Sequence, residues 1–174
     1  MKKLSLIAVA IGSIALAGCA TVTPMQNTFA PSDVEWSQEE GDATVRGQAF
    51  LRTVGGEVKT CAGYQIDMVP VSPYSEERIS IIYGNTVKGF RSTSPFSAGG
   101  TPPQAPAEFL NYNLVSVCDA TGSFEFEDVP AGEYFIVSGI TWQVSSDSIV
   151  PEGGTLMQRI KVKSASNKKY IMSM

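Results

Sequence analysis

Histidine is absent from all 174 residues, and that gap removes much chemistry. Without an imidazole there is no Ser-His-Asp triad, no Cys-His nucleophile pair and no histidine-ligated metal. Basic side chains are also in the minority. Beyond the first 18 residues, which hold Lys2 and Lys3 and no acid, 11 basic side chains face 17 acidic ones, a net charge of −6. Such a surface lacks the cationic face that nucleic acid requires, and it offers no electrostatic adhesion to anionic lipid. The one pronounced apolar run, residues 4–17, is fourteen residues long, too short for an ordinary membrane-spanning helix.

That run suits the core of an export signal instead. Lys2 and Lys3 precede it, and Leu16-Ala17-Gly18-Cys19 follows, so basic, apolar and small-residue blocks come in the order of a signal peptide. The last block resembles the lipobox of bacterial lipoproteins. The resemblance implies cleavage before Cys19, acyl chains on Cys19 and membrane attachment through them. Each buried methylene contributes about 0.8 kcal/mol, and two or more chains hold where one binds only marginally. Ala20 follows the cysteine where an Asp could stand, which by the same resemblance points to the outer membrane of a Gram-negative cell. The rival reading is a plain signal peptide with an accidental cysteine.

Removing residues 1–18 leaves 156 residues, room for one domain with a core plus a tether. With Cys19 given to lipid, Cys61 and Cys118 remain, 57 positions apart, and in an oxidising compartment a disulfide is the default. On the chain-entropy model, closing that loop stabilises the fold by roughly 4 kcal/mol. Zinc is the alternative, but two cysteines without histidine do not complete a four-ligand shell.

Residues 20–42 are polar and without sustained periodicity, and read as a flexible tether spanning roughly 25 Å, with Trp36 packed back on the domain. From residue 44 onward the period is two. Val45, Gly47, Ala49 and Leu51 share one face of a strand; Ile66 to Val71 form a short buried run; Phe124 and Phe126 alternate with Ser123, Glu125 and Glu127. Val129-Pro130-Ala131-Gly132 is a turn signal. It leads into a long strand with Tyr134, Ile136, Ile140 and Trp142 on one face. Strands over 157–163 and 169–174 close the chain. Short strands with Gly/Pro punctuation predict a β-sandwich. One helix is expected after Ser72, with Pro73 in its first turn and Gly84 as its stop. The alternation of Ile79, Ile81 and Tyr83 leaves a strand as its rival. Residues 84–106 are rich in Gly, Ser, Thr and Pro and read as a long loop.

The block Asp119-Ala120-Thr121-Gly122-Ser123-Phe124-Glu125-Phe126-Glu127-Asp128-Val129-Pro130-Ala131-Gly132-Glu133-Tyr134 resembles the carboxypeptidase regulatory-like domain, with its D-x-x-G turn, F-x-F strand and P-A-G-x-Y hairpin. Residues 45–51 look like that domain's first strand. The resemblance implies a transthyretin-like antiparallel sandwich over residues 43–174. Here residues 72–113 would be an insert, its two ends stapled to the sandwich by Cys61 and Cys118. Two enzyme classes share such a sandwich, hydroxyisourate hydrolases and intradiol dioxygenases. The first depends on histidines and a C-terminal tetrapeptide, the second on iron held by tyrosine and histidine, and this chain departs from both.

Other candidates for chemistry have plainer readings. Ser166-Asn167-Lys168-Lys169 fits S-x-x-K, but it lies between two predicted strands among lysines, where a solvated turn is expected. Glu76 with Glu77, and Glu125 with Glu127, are carboxylate pairs without the oxygen-rich loop of a calcium site. Tyr64, Phe90, Phe96 and Tyr112 lie near or within the insert. They either pin it to the sandwich or form a surface for stacking on sugars or anchoring a protein. The expectation is a lipid-anchored envelope protein without catalytic residues, metal or cofactor, serving as a structural or protein-binding module. A glycan-binding module is the alternative. A hydrolase using Glu76, Glu77 or Ser166 is the second alternative.

Overall fold

Alternation governs the strands as the sequence implies. In the computed structural model, which describes residues 22–94, 97–145 and 147–174, β1 (Ala43–Arg52) buries Val45, Ala49 and Leu51 and turns Arg46 and Arg52 outward. It is the centre of one sheet. β6 (Ser123–Val129) pairs with it antiparallel, β9 (Asn167–Met172) pairs parallel, and β2 (Val58–Thr60) joins its far end antiparallel. The second sheet has the order β4 (Lys88–Ser92), β8 (Glu152–Val162), β7 (Gly132–Trp142), β3 (Gln65–Pro70) and β5 (Leu114–Val117), all antiparallel. Between the sheets Tyr134, Ile136, Ile140, Leu156 and Ile160 meet Val45, Ala49, Phe124, Phe126 and Met172. The protein is a β-sandwich. Its departure from the expected antiparallel pattern is β9: the chain changes sheets after β8, so β9 starts at the same end as β1 and runs beside it.

A second core lies on the outer face of the five-stranded sheet. There α1 (Pro73–Tyr83) and the single turn α2 (Ala107–Leu110) cover Val69, Phe135 and Met157. The helix prevails over a strand because its ends are capped. Ser72 and Ser75 form a reciprocal capping box, Pro73 occupies the first turn, and Gly84 stops the helix at φ 66°. Arg159 ties it to the sheet, 2.6 Å from Glu76 and 2.8 Å from Glu133, with its guanidinium 5.6 Å from the centre of the Phe135 ring.

Residues 22–42, expected as a tether, lie along the domain. Thr23 N–H donates to Thr101 at 2.8 Å, and Phe29 packs edge-on against Tyr74, Phe109 and Tyr112. Two 3-10 turns, Pro31–Asp33 and Glu35–Gln38, then carry Val34 to full burial and Trp36 onto Tyr134. Trp36 packs on the domain as the sequence implies; Phe29 and Val34 are further anchors, which the average polarity of the stretch conceals. The expected loop 84–106 likewise contains β4, whose sequence Lys-Gly-Phe-Arg-Ser shows too little alternation to stand out. β8 begins five residues before its predicted start at 157, because Gly153 and Gly154 obscured the strand. β9 begins two residues before its predicted start at 169. The sequence reading has no counterpart to β2 and β5.

The block 119–134 is built as its motif implies. The Asp119 carboxylate accepts from Thr121 N–H, Thr121 Oγ1 and Ser123 N–H at 2.7–2.9 Å. The Thr121 hydroxyl, then the Ser123 and Thr121 amides, hold its pKa below the usual carboxylate range. Gly122 follows at φ 77°, a left-handed conformation that glycine adopts without strain. Phe124 and Phe126 point inward. A bulge at Asp128, with φ 53°, then brings Val129 inward in place of the next alternate residue. Tyr134 is fully buried, and its hydroxyl donates to Pro130 at 3.0 Å. Cys61 and Cys118 form a disulfide with Cα atoms 5.7 Å apart. It lies in the main core and joins the segment after β2 to the segment after β5.

Candidate functional site

One end of the sandwich is left open. β1, β4, β7 and β9 finish there and β8 begins, and their ends surround a cleft of about 440 Å³. Phe90 comes from β4 and Trp142 from the last position of β7. Both are inward positions of alternating strands, but the sheets part here, so the rings are only half-buried. Gly153, at φ 99°, makes room for the indole. A side chain there would come within 2.9 Å of the Trp142 ring and also meet the Ile140 carbonyl. Phe90 sits opposite Leu156 in the β4–β8 ladder.

The rim is mixed, with Val54, Val150 and Met174 beside polar groups, and its polar part is tied down by hydrogen bonds. Thr93 N–H donates to Gly153 at 2.9 Å, and its hydroxyl donates to Pro151 at 2.6 Å. The loop after β1 closes on itself, with Thr53 N–H donating to the Glu57 carbonyl at 2.9 Å and Glu57 N–H to Thr53 Oγ1 at 3.0 Å. Arg52 and Glu152 also line the cleft. Both are exposed, and neither forms an ion pair with another described residue. Two apolar ring faces beside uncommitted donors and acceptors, on a rim held by its own hydrogen bonds, is an arrangement for holding a polar ligand with an apolar face.

The fold has known relatives. The crystal structure of a candidate carbohydrate-binding protein from Pseudomonas aeruginosa superposes with a TM-score of 0.71 at 20% identity, over 85% of this chain and 99% of that one. The minor pilin of Streptococcus agalactiae aligns at 10% identity over 77% of this chain and 44% of its own, with a TM-score of 0.34. Chlorocatechol 1,2-dioxygenase from Pseudomonas putida aligns at 11% identity over 94% and 70%, with a TM-score of 0.31. The last two overlaps are too loose to support an argument; the first is a likeness of fold. No protein-family model matches the chain, and no curated protein matches it in sequence.

The four rings singled out in the sequence are not gathered into one surface. Phe90 is in the cleft. Tyr64 lies elsewhere, its hydroxyl 2.7 Å from Thr141 Oγ1 and its ring against the main core. Tyr112 packs on Phe29 with ring centres 5.6 Å apart. Phe96 and Cys19 lie outside the described residues. The sequence reading passed over Trp142 as core; the signal was its place as the last inward residue of a long strand, followed at once by polar residues. Arg52, Thr93 and Glu152 carried no signal, because only the topology brings them together.

The residues of the hydrolase alternative are apart as well. Glu76 engages Arg159, whereas Glu77 accepts from the backbone of Gln26 and Asn27. Ser166 Oγ donates to the Lys163 carbonyl at 2.6 Å in the turn between β8 and β9. None of the three lines the cleft. Glu125 pairs with Arg46 at 2.6 Å on an exposed sheet face. Among the described residues, no group of three or more Cys, Asp or Glu side chains is placed to hold a metal, and no helix is long and apolar enough to cross a membrane.

Proposed function

We propose that this is a lipid-anchored, non-enzymatic protein of the cell envelope that binds glycan in the cleft between Phe90 and Trp142. The observation that carries the reading is the pairing of those two half-buried rings with Arg52, Thr93 and Glu152 around one opening. A pyranose ring presents C–H groups on its faces and hydroxyls at its edge, so it matches an apolar ring face beside polar partners. The Pseudomonas aeruginosa structure supports the choice of ligand class, since a candidate carbohydrate binder shares this fold over most of both chains. The block 119–134 supports a place among carboxypeptidase regulatory-like domains. The signal-like start and Leu16-Ala17-Gly18-Cys19 support export and acylation at Cys19, with the outer membrane of a Gram-negative cell as destination.

Retention on insoluble peptidoglycan and binding of lipopolysaccharide-derived oligosaccharide test the cleft. The native chain should bind one of the two, and Trp142→Ala should abolish that binding while leaving the fold intact. Equal binding by the variant, or none by the native chain, would refute glycan recognition at this site. The intact mass of the membrane-extracted protein tests the anchor, as does its release from membranes on Cys19→Ser.

A further inference from the structure

The cleft end is also where apolar side chains project. Val54, after β1, and Ile149, in the loop between β7 and β8, are fully exposed, and Val144, Val150 and Met174 are at least half exposed. Arg52, Asp147 and Glu152 are exposed among them, whereas the opposite end presents Glu39, Glu40, Asp42 and Lys163. Isolated exposed valines are ordinary on a soluble surface, but a group of large apolar side chains at one end marks a contact face.

The course of the N-terminal segment points to what covers it. Val22 bridges to Thr101, and Thr23 N–H donates to the same residue. The neighbouring Gly100 carbonyl accepts a short hydrogen bond from Arg91, on the strand that ends at the cleft. If the chain is cut before Cys19, as proposed above, Cys19, Ala20 and Thr21 are what remains ahead of this docked stretch. Three residues reach about 10 Å at full extension, whereas a free tether of residues 20–42 would have spanned about 25 Å. Arg91 stands opposite Thr155, three residues from the start of β8 and seven from its end, so a leash attached beside it holds the cleft end nearer the membrane than the other end.

From this we infer that the cleft end is a membrane-contact face, with Val54 and Ile149 entering the interfacial layer of the bilayer that holds the acyl chains. The inference rests on acylation at Cys19, proposed above. The net negative charge of the protein makes apolar insertion, not attraction to anionic lipid, the contact chemistry. The cleft is thereby presented to saccharide carried on lipid, which narrows the ligand class.

The acylated full chain, extracted in detergent and reconstituted into phosphatidylcholine vesicles, provides the test. Nitroxide labels at Val54→Cys, Ile149→Cys and, as an aqueous reference, Glu39→Cys report collisions with oxygen and with a water-soluble nickel chelate. The expected result is a shift toward oxygen access and loss of chelate access at positions 54 and 149, with Glu39→Cys unchanged. Adding Ile149→Asp to the Val54→Cys chain should reverse the shift. Labels at 54 and 149 as aqueous as the reference, on protein whose mass shows the acyl chains, would overturn the contact and leave the anchor standing. A mass without acyl chains would overturn the anchor, and the contact with it. Glycan retention is scored separately and is unaffected by either result.

Discussion

At one end of the sandwich, the 3-10 turns bring Val34 under cover and lay Trp36 across Gly132, whose missing side chain makes room for the indole. At the other end of β7 the indole of Trp142 is half-buried as well, and its neighbours are the cleft loops. The two tryptophans differ in what the neighbouring chain does. Trp36 belongs to the N-terminal segment and its Nε1–H donates within it, to the Asp33 carbonyl at 3.0 Å. The loops around Trp142 bond to one another, and its ring borders the cleft. The disulfide reflects the same division. Its half-cystines are tied to residues on the cleft side of the sheets, Cys61 N–H to Ala49 and Cys118 N–H to Tyr64, whose hydroxyl meets Thr141. The covalent bond supports the cleft end; at the other end Trp36 borders a polar hollow of about 530 Å³ with Glu39, Asp42 and Pro130.

The largest effect should come from removing that bond. Cys61→Ala with Cys118→Ala is expected to cost roughly 4 kcal/mol, read from denaturant midpoints, with a looser native state as the main reason for a smaller value. Native-state hydrogen exchange should rise first in β2, β5 and the cleft loops and last around Trp36. A uniform rise would mean that the two ends are not separately supported.

Next come the tryptophans themselves. Trp36→Ala removes a half-buried indole packed edge-on against Tyr134 with ring centres 5.2 Å apart, and should cost about 2–3 kcal/mol without affecting glycan retention. Trp142, half-buried against the same core, should cost a similar amount when replaced by Ala, and its loss should abolish retention. The comparison fails if both variants retain binding, or both lose it. Gly154→Ala probes the β4–β8 pairing beside the cleft, because a side chain there meets the Arg91 carbonyl and pries β4 from β8. Overpacking of this kind costs about 1–3 kcal/mol, and it should weaken glycan binding by displacing Phe90.

The closed layers of the molecule were legible in sequence and the cleft was not. Alternation in residues 44–51, 123–127 and 134–142 reports burial directly, and the cap of α1 is local, so Ser72, Pro73 and Gly84 suffice to place it. A cleft is a non-local object. Arg52, Phe90, Trp142 and Glu152 lie on four strands, and no spacing along the chain relates them. The docking of residues 22–42 was legible only at Trp36, expected on the domain and found on Tyr134. The rest depends on Phe29 finding Tyr74 and Phe109 far along the chain, whereas the local composition is that of a free linker. β4 was missed because an edge strand that contributes one inward ring needs little alternation to be held by its neighbour.

The smallest effect concerns the strap that shortens the leash. The Glu77 carboxylate accepts from Gln26 N–H and Asn27 N–H at 2.7 Å each, and from Asn27 Nδ2 at 2.8 Å. The backbone bond from Gln26, then that from Asn27, holds its pKa below the ordinary glutamate value. A carboxylate whose pKa is depressed by folding contributes fully above its unfolded value, about 4.3, and the contribution fades as pH falls through the lower folded value. Acid should therefore loosen the stretch around Gln26 and Asn27, while the Thr101 bridge before it and Phe29 after it, held by three ring contacts, stay in place. Exchange of the Gln26 and Asn27 amides, corrected for intrinsic rate, should accelerate below about pH 4. Glu77→Gln should show fast exchange at neutral pH and no further response to acid. If the amides stay protected through that range, Glu77 is not the clasp, and the docking of the N-terminal segment rests on Phe29 and the Thr101 bridge alone.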